Sequence, residues 1–293
     1  MSFSIFTDTP ANLPTSILEK YGINVIPFSY FRDGVEYTPV SLDEVDFDEY
    51  YDELRSGIKI TTSQINPQRY IDYIEPHMME GRDVLYIGLS GGVTGSIASA
   101  NIASLYLLDK YPGVRFEIVD SLGASLGEGL QVIHAARQRE MGKTLDETVK
   151  EALRYRKRMC QIFTVGDLMH LKRSGRLSAV GAVMGTVLGI KPLLKGNEEG
   201  KIVNFMNVRG RRNAMRAIVD RYREYSVIPA EQTIGISHGG CLDDAIKLRD
   251  MIVEVCEPKE VIIVPHESVT GSHVGPGMLA LYFEGDEKVR IRD

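Results

Sequence analysis

The stretch Asp83-Val-Leu-Tyr-Ile-Gly-Leu-Ser-Gly-Gly-Val-Thr-Gly-Ser-Ile-Ala-Ser-Ala100 leaves this chain few ways to fold. A charged residue opens the apolar run 84–87, which is short enough for a buried strand. Small residues fill positions 88–96, and apolar residues take helical spacing over 97–111. A strand that feeds a glycine-rich loop and then a helix is a site-building device. The glycines let backbone N–H groups converge, and the helix N-terminus adds partial positive charge. Ser90, Thr94 and Ser96 place three hydroxyls in the same loop. The combination suits an anion.

The flanking sequence repeats the alternation. Strands are expected at 4–7, 24–31 and 115–119, and helices at 43–54, 67–79, 126–141 and 145–159. Arg32-Asp33-Gly34 has turn chemistry, and Thr61-Thr62-Ser63-Gln64 reads as a hydroxyl-rich loop. Such alternation argues for right-handed βαβ units in a mostly parallel sheet covered by helices. Past residue 160 the pattern changes. Strands are expected at 162–165, 202–208, 233–237, 261–264 and 279–282, with helices at 212–225 and 243–255 and a small-residue helix at 179–188. The expected fold is α/β in two domains: 1–158 with a mostly parallel sheet flanked by helices, and 159–293 with a mixed or antiparallel sheet. With 293 residues the chain is long enough for both.

A net charge of −6 argues against general nucleic-acid binding. Cys160, Cys241 and Cys256 are odd in number and lack CxxC spacing, so neither a disulfide framework nor a zinc site is indicated. The N-terminus has no basic region followed by a long apolar core, and no run approaches the roughly 20 apolar residues of a membrane span. A cytoplasmic protein with at most transient membrane contact is expected.

Several motifs have to be weighed against plainer readings. Gly142-Lys143-Thr144 suggests a P-loop, but that motif needs a glycine at 137, where Arg137 stands. The three residues follow a helix and read as its C-cap. Gly88-Leu89-Ser90-Gly91-Gly92 matches the nucleophile elbow, with Asp120 and His273 completing the order Ser, Asp, His. Against a serine hydrolase, Val93-Thr94-Gly95 prolong the loop where the elbow helix should begin, and a chain with 28 glycines meets so loose a pattern by chance. His77, His134 and His170 lie in helical patterns and read as surface or packing residues. His273 differs, because Gly271-Ser-His-Val-Gly-Pro-Gly277 places it in an irregular loop, either as a binding group or as a local cap. No HxH or HExxH spacing supports a metal. Basic residues gather at Lys172, Arg173 and Arg176, and again at Arg209, Arg211, Arg212 and Arg216. The second group opens a helix, where the macrodipole disfavours cations, and so hints at an anionic partner.

Taken together, these loops resemble the DegV family, which supplies the fatty-acid-binding subunit of bacterial fatty-acid kinase. The resemblance runs nearly end to end. Thr7-Asp8-Thr9-Pro-Ala-Asn-Leu-Pro14 is similar to the family's TDSTADLP, and Leu89-Ser-Gly-Gly-Val-Thr-Gly-Ser96 to its LSSGLSGTY. Thr62-Ser63-Gln64, the segment from Phe163 through Arg176 to Ser178, and His273-Val-Gly-Pro-Gly277 complete the order. The resemblance implies that a fatty-acid carboxylate is held by Thr62, Thr94 and His273, with Ser63 and Ser96 as neighbouring alternatives. Threonine replaces the family's serine at 94, which keeps the hydroxyl on a stiffer rotamer. Gly91 stands where a serine is common, so that side chain's contacts are absent.

The chemistry is coherent by itself. A buried carboxylate needs donors, and two hydroxyls with an imidazole supply them. Each buried methylene of a tail adds about 0.8 kcal/mol. The 179–188 helix would let an acyl chain pass close to backbone, or would simply pack tightly. The implied function is a non-catalytic carrier that holds a long-chain fatty acid between its domains. It needs no other cofactor or metal, and it presents the carboxylate to a separate fatty-acid kinase. Arg173, Arg176, Arg209 and Arg211 are then expected on the partner- or phosphate-facing surface.

Overall fold

The computed structural model describes residues 3–174 and 189–292. The expected helix at 179–188 and Arg176 lie outside them. Two compact units form: residues 1–45 with 60–156, and residues 46–59 with 157–293. In chain order the first unit contributes β1 (Ser4–Asp8), α1 (Thr15–Tyr21), β2 (Ile23–Ile26), β3 (Ser29–Arg32) and β4 (Val35–Tyr37). The chain then leaves it for α2 (Phe47–Ser56), which groups with the second unit. It returns for β5 (Ile60–Ser63), α3 (Pro67–Met79), β6 (Val84–Gly88), α4 (Ser96–Lys110), β7 (Phe116–Asp120), α5 (Leu126–Glu140) and α6 (Leu145–Arg158).

The first unit is built on a four-stranded parallel sheet in the order β2-β1-β6-β7. β1 and β6 are buried at every position, as strands covered on both faces must be. The expected strand at 24–31 is two strands. β2 ends at Ile26, Pro27 interrupts the ladder because it has no N–H to donate, and β3 starts a separate antiparallel sheet, β4-β3-β5. Arg69 fixes this jog by donating to Pro27 O (3.1 Å) and Ser29 Oγ (2.8 Å). Asp33 and Gly34, both at positive φ, form the tight turn between β3 and β4. The Gly-Lys-Thr segment closes one helix and opens the next. Lys143 N donates to Gln138 O, and Gly142 lies at φ 79°. Thr144 and Glu147 then cap α6 reciprocally.

The second unit continues with β8 (Met159–Thr164), α7 (Leu168–Arg173), β9 (Ile190–Gly196), β10 (Ile202–Arg209), α8 (Arg211–Tyr225), β11 (Thr233–His238), α9 (Leu242–Val255), β12 (Glu260–Pro265), α10 (Ser268–Val274) and β13 (Leu279–Glu284). Its six strands form one mixed sheet, β10-β9-β8-β13-β11-β12, in which only β11 and β12 run parallel. Ile162, Ile234, Ile236, Leu281 and Phe283 from the sheet pack with Ile218, Tyr222, Leu248 and Ile252 from α8 and α9 into one core. Among the described residues no helix is long and apolar enough to cross a membrane. No cluster of histidine, cysteine or acidic side chains among them would hold a metal ion.

Candidate functional site

In the first unit the glycine loop joins β6 to α4, which starts at Ser96 with Gly95 as its N-cap. The expected loop at 61–64 is instead the strand β5, with Thr62 opposite Tyr30 and Ser63 opposite Ser29. Beyond β5 the chain runs onto the glycine loop. Ile65 N donates to Ser96 Oγ (3.3 Å), and a Cβ on Gly95 would lie 2.4 Å from Gln64 Oε1. The Gln64 amide fills the space beside Gly95, and a Cβ there would push it aside. Thr94 Oγ1 lies 3.0 Å from Ser96 Oγ and also accepts from Ser96 N. Thr94 is half-buried and Ser96 fully buried. The structure therefore ties the end of the β5 segment directly to the Thr94–Ser96 hydroxyl pair.

Behind this joint runs a chain of buried hydroxyls. Tyr86 OH donates to Asp8 Oδ2 (2.6 Å), and Tyr70 OH lies 2.8 Å from Tyr86 OH. Tyr86 has one proton and gives it to Asp8, so Tyr70 is the donor between the two tyrosines. Gly88 is needed because the Tyr86 hydroxyl passes 2.1 Å from where a Cβ would stand. Burial pushes the Asp8 carboxyl up to about 6, partly offset by hydrogen bonds from Tyr86 and Leu89 N and by its contact with Glu128. Thr9 holds Pro39 O and Phe28 N, a structural duty.

The elbow reading finds little support in this geometry. Ser90 is buried and its Oγ accepts from Gly92 N. Both Asp120 oxygens accept backbone N–H groups, from Gly91 (3.1 Å) and Leu122 (2.8 Å). That carboxylate is committed to shaping its own turn.

In the second unit His273 lies in α10, not in an irregular loop. Seven residues make a weak helix, and its partners define it. Glu267 caps the N-terminus, its carboxylate accepting from Val269 N (2.5 Å), Thr270 N (2.7 Å) and Thr270 Oγ1. Tyr50 and Tyr51 of α2 donate to Ser268 O (2.5 Å) and His266 O (2.7 Å). Gly271 is accepted because Tyr51 OH would sit 2.6 Å from a Cβ there. From α7, His170 Nε2 donates to Ser272 O (2.7 Å) and Ser174 Oγ to His273 O (3.0 Å). His266 is buried and pushed down to about 3 by desolvation. Thr270 gives its proton to Glu267, so His266 Nε2 donates to Thr270 (2.7 Å) and Nδ1 accepts from Ser237 (2.9 Å). Every one of these bonds fixes the helix that carries His273.

The arginines divide. Arg173 is exposed and pairs with Asp167 (3.2 Å), and Arg209 is exposed at the end of β10. Arg211 turns inward, donating to Asp244 Oδ2 (2.8 Å), Gly277 O (2.8 Å) and Cys241 Sγ (3.4 Å). Its guanidinium braces the Gly275–Gly277 turn. Sequence reasoning missed Glu128 and the two tyrosine pairs. The one signal for Glu128 was an acid between two glycines on a helix face otherwise made of buried residues.

The DegV family profile matches residues 2–286. A DegV domain-containing protein of Clostridium perfringens is 38% identical over 286 residues, covering 98% of each chain. A DegV family protein from Thermus thermophilus, described by its fatty-acid binding, superposes with a TM-score of 0.87 at 28% identity, over 98% of this chain and 100% of its own. DegV of Bacillus subtilis, described as a fatty-acid-binding protein, does so with a TM-score of 0.84 at 25% identity, over 98% and 100%. The family match takes in nearly the whole chain, and the chain belongs to the DegV family.

Proposed function

We propose that this protein is a carrier that binds a long-chain fatty acid and presents its carboxylate to a separate kinase for acyl-phosphate formation. The observation that carries the reading is the joint between the end of β5 and the glycine loop, which holds Thr94 and Ser96 against the Thr62–Gln64 segment. The fatty-acid binding of the Thermus and Bacillus relatives supports the ligand class. In this reading Thr62, Thr94 and His273 give the carboxylate its donors, and Ser63 and Ser96 are their neighbours. The pinning of α10 by Glu267, Tyr50, Tyr51 and His170 supports a fixed imidazole. The chain itself carries out no reaction.

The test is mass spectrometry of an organic-solvent extract of washed protein, before and after incubation with mixed fatty acids. A stoichiometric fatty acid is expected, and an empty extract under both conditions overturns the reading. Thr62→Val and Thr94→Val should each weaken carboxylate retention about tenfold, the value of one charge-assisted hydrogen bond. Equal retention would remove these threonines from the site.

Charge reversal at Arg173 and Arg209 should impair phosphorylation of the bound acid by the kinase while leaving acyl loading intact. The proposed docking surface includes Arg176, and Arg211 enters it through the turn that it braces. Loss of loading in Arg209→Glu would refute docking.

A further inference from the structure

Asp8 and Glu128 are both fully buried, at the end of β1 and in the first turn of α5. Gly129 lets α5 come this close, since a Cβ there would stand 2.3 Å from Ala11 O. Asp8 Oδ2 accepts two donors, Tyr86 OH (2.6 Å) and Leu89 N (3.0 Å). Asp8 Oδ1 is buried and receives no N–H or O–H, while the Glu128 carboxyl lies within hydrogen-bonding reach of Asp8. Glu128 Oε1 in turn accepts from Thr7 Oγ1 (2.8 Å). Two carboxyls facing each other out of water cannot both ionise without a large penalty, whereas one proton between them satisfies both. The ionisable groups acting on the pair are Tyr86 from β6 and Tyr70 from α3. Burial and the nearby acids push both tyrosines well above their usual value, so they remain neutral donors.

The direction of the hydrogen bonds follows. Tyr86 donates to Asp8 and Tyr70 to Tyr86, and Asp8 Oδ2 also holds Leu89 N at the head of the glycine loop (3.0 Å). Farther along that loop Ser96 Oγ accepts from Ile65 N (3.3 Å) and lies 3.0 Å from Thr94 Oγ1.

We propose that Asp8 and Glu128 hold one proton between them and act as positioning residues behind the glycine loop that carries Thr94 and Ser96, linking carboxylate affinity to pH. The inference rests on the fatty-acid reading above. Loss of the shared proton adds a negative charge behind the anion-binding hydroxyls, so affinity falls as pH rises through the pair's titration. By reciprocity, bound carboxylate makes the pair hold its proton more tightly. The folded-state value of Asp8, about 6, is raised above the unfolded one, so its contribution to stability is full below the usual aspartate range and is lost as pH rises through 6.

The experiment measures oleate affinity from pH 5 to pH 8 for wild type, Asp8→Asn and Glu128→Gln. It also records the infrared carbonyl band of protonated carboxylic acid in the unliganded proteins. Asparagine at 8 keeps an oxygen for Tyr86 and Leu89 N and offers its amide to Glu128, so it mimics the protonated pair. Wild type should lose on the order of tenfold in affinity beyond the ligand's own titration, and either variant should show the ligand's titration alone. The protonated-acid band should be present at pH 6 in wild type and absent in both variants. Superimposable pH profiles, or no such band in wild type, overturn the inference. If no protein binds oleate at any pH, the carrier reading falls, and the infrared band still decides the shared proton.

Discussion

Replacing Gly166 with alanine should cost about 3 kcal/mol of stability, at the upper end of overpacking penalties, and should dislodge the turn that follows His273. The Cβ would stand 2.3 Å from Pro276 O and 3.1 Å from the Gly277 Cα. Both neighbours are backbone. Lys191 Nζ holds Gly166 O at 2.6 Å on one side, and on the other Gly277 N donates to Gly239 O (2.7 Å) while Arg211 holds Gly277 O. Gly166 is not at positive φ, so alanine suits its backbone and the penalty is purely steric. Urea unfolding of Gly166→Ala beside Gly113→Ala, where nothing lies within 4 Å of the added Cβ, isolates the effect. Fatty-acid retention should drop more than tenfold in the first and not at all in the second. Equal unfolding midpoints would show that the Gly275–Gly277 turn can yield.

Glu267→Ala should cost about 2–3 kcal/mol and release the helix that carries His273. A cap of this kind contributes about 1 kcal/mol at exposed helix ends. Here the carboxylate is 1% exposed, so its removal leaves the Val269 and Thr270 N–H groups buried without an acceptor, a further penalty of similar size. Hydrogen exchange at these two amides should rise by at least an order of magnitude while the β11 amides stay protected. Unchanged exchange would mean that Tyr50 and Tyr51 hold α10 without its cap. Glu267→Gln is the milder variant, since its amide nitrogen must meet one N–H donor face to face.

Elements with a strong period were legible from residue types alone. β6, the glycine loop and α4 fall where Val84–Ile87, the small residues and the apolar run put them, because local pattern and tertiary burial agree. The misreadings arose where tertiary contacts outvoted local chemistry. Thr61-Thr62-Ser63 looked like a loop because hydroxyls and Gln64 dominate it, yet β3 was waiting with a free edge. His273 looked irregular because glycines surround it, yet Gly271 is there for the Tyr51 hydroxyl and the helix is held from outside. β9 was missed altogether, since Lys191-Pro192 and Lys195-Gly196 leave only the short apolar pair Leu193-Leu194 between them. Of the proposed site residues, only the donor types, hydroxyl and imidazole, were readable. The inward turn of Arg211 was not, because nothing in a run of basic residues says which of them will find Asp244, 33 positions away.

The grouping of α2 with the second unit has a consequence for synthesis. Tyr50 and Tyr51 leave the ribosome more than 200 residues ahead of the Ser268 and His266 carbonyls that they will hold. Until then two large aromatic side chains that are almost wholly buried in the native state lack the carbonyls that they will hold. The first unit can close around the gap, because β4 and β5 flank the excursion and both pair with β3 in its antiparallel sheet. The second unit cannot close without it. A nascent chain stalled near residue 158 should therefore carry a formed first unit and an α2 whose aromatic face is uncovered, the segment a chaperone would grip. A fragment made from residue 159 onward should lack the aromatic pair and refold only when a peptide spanning 46–59 is supplied in trans.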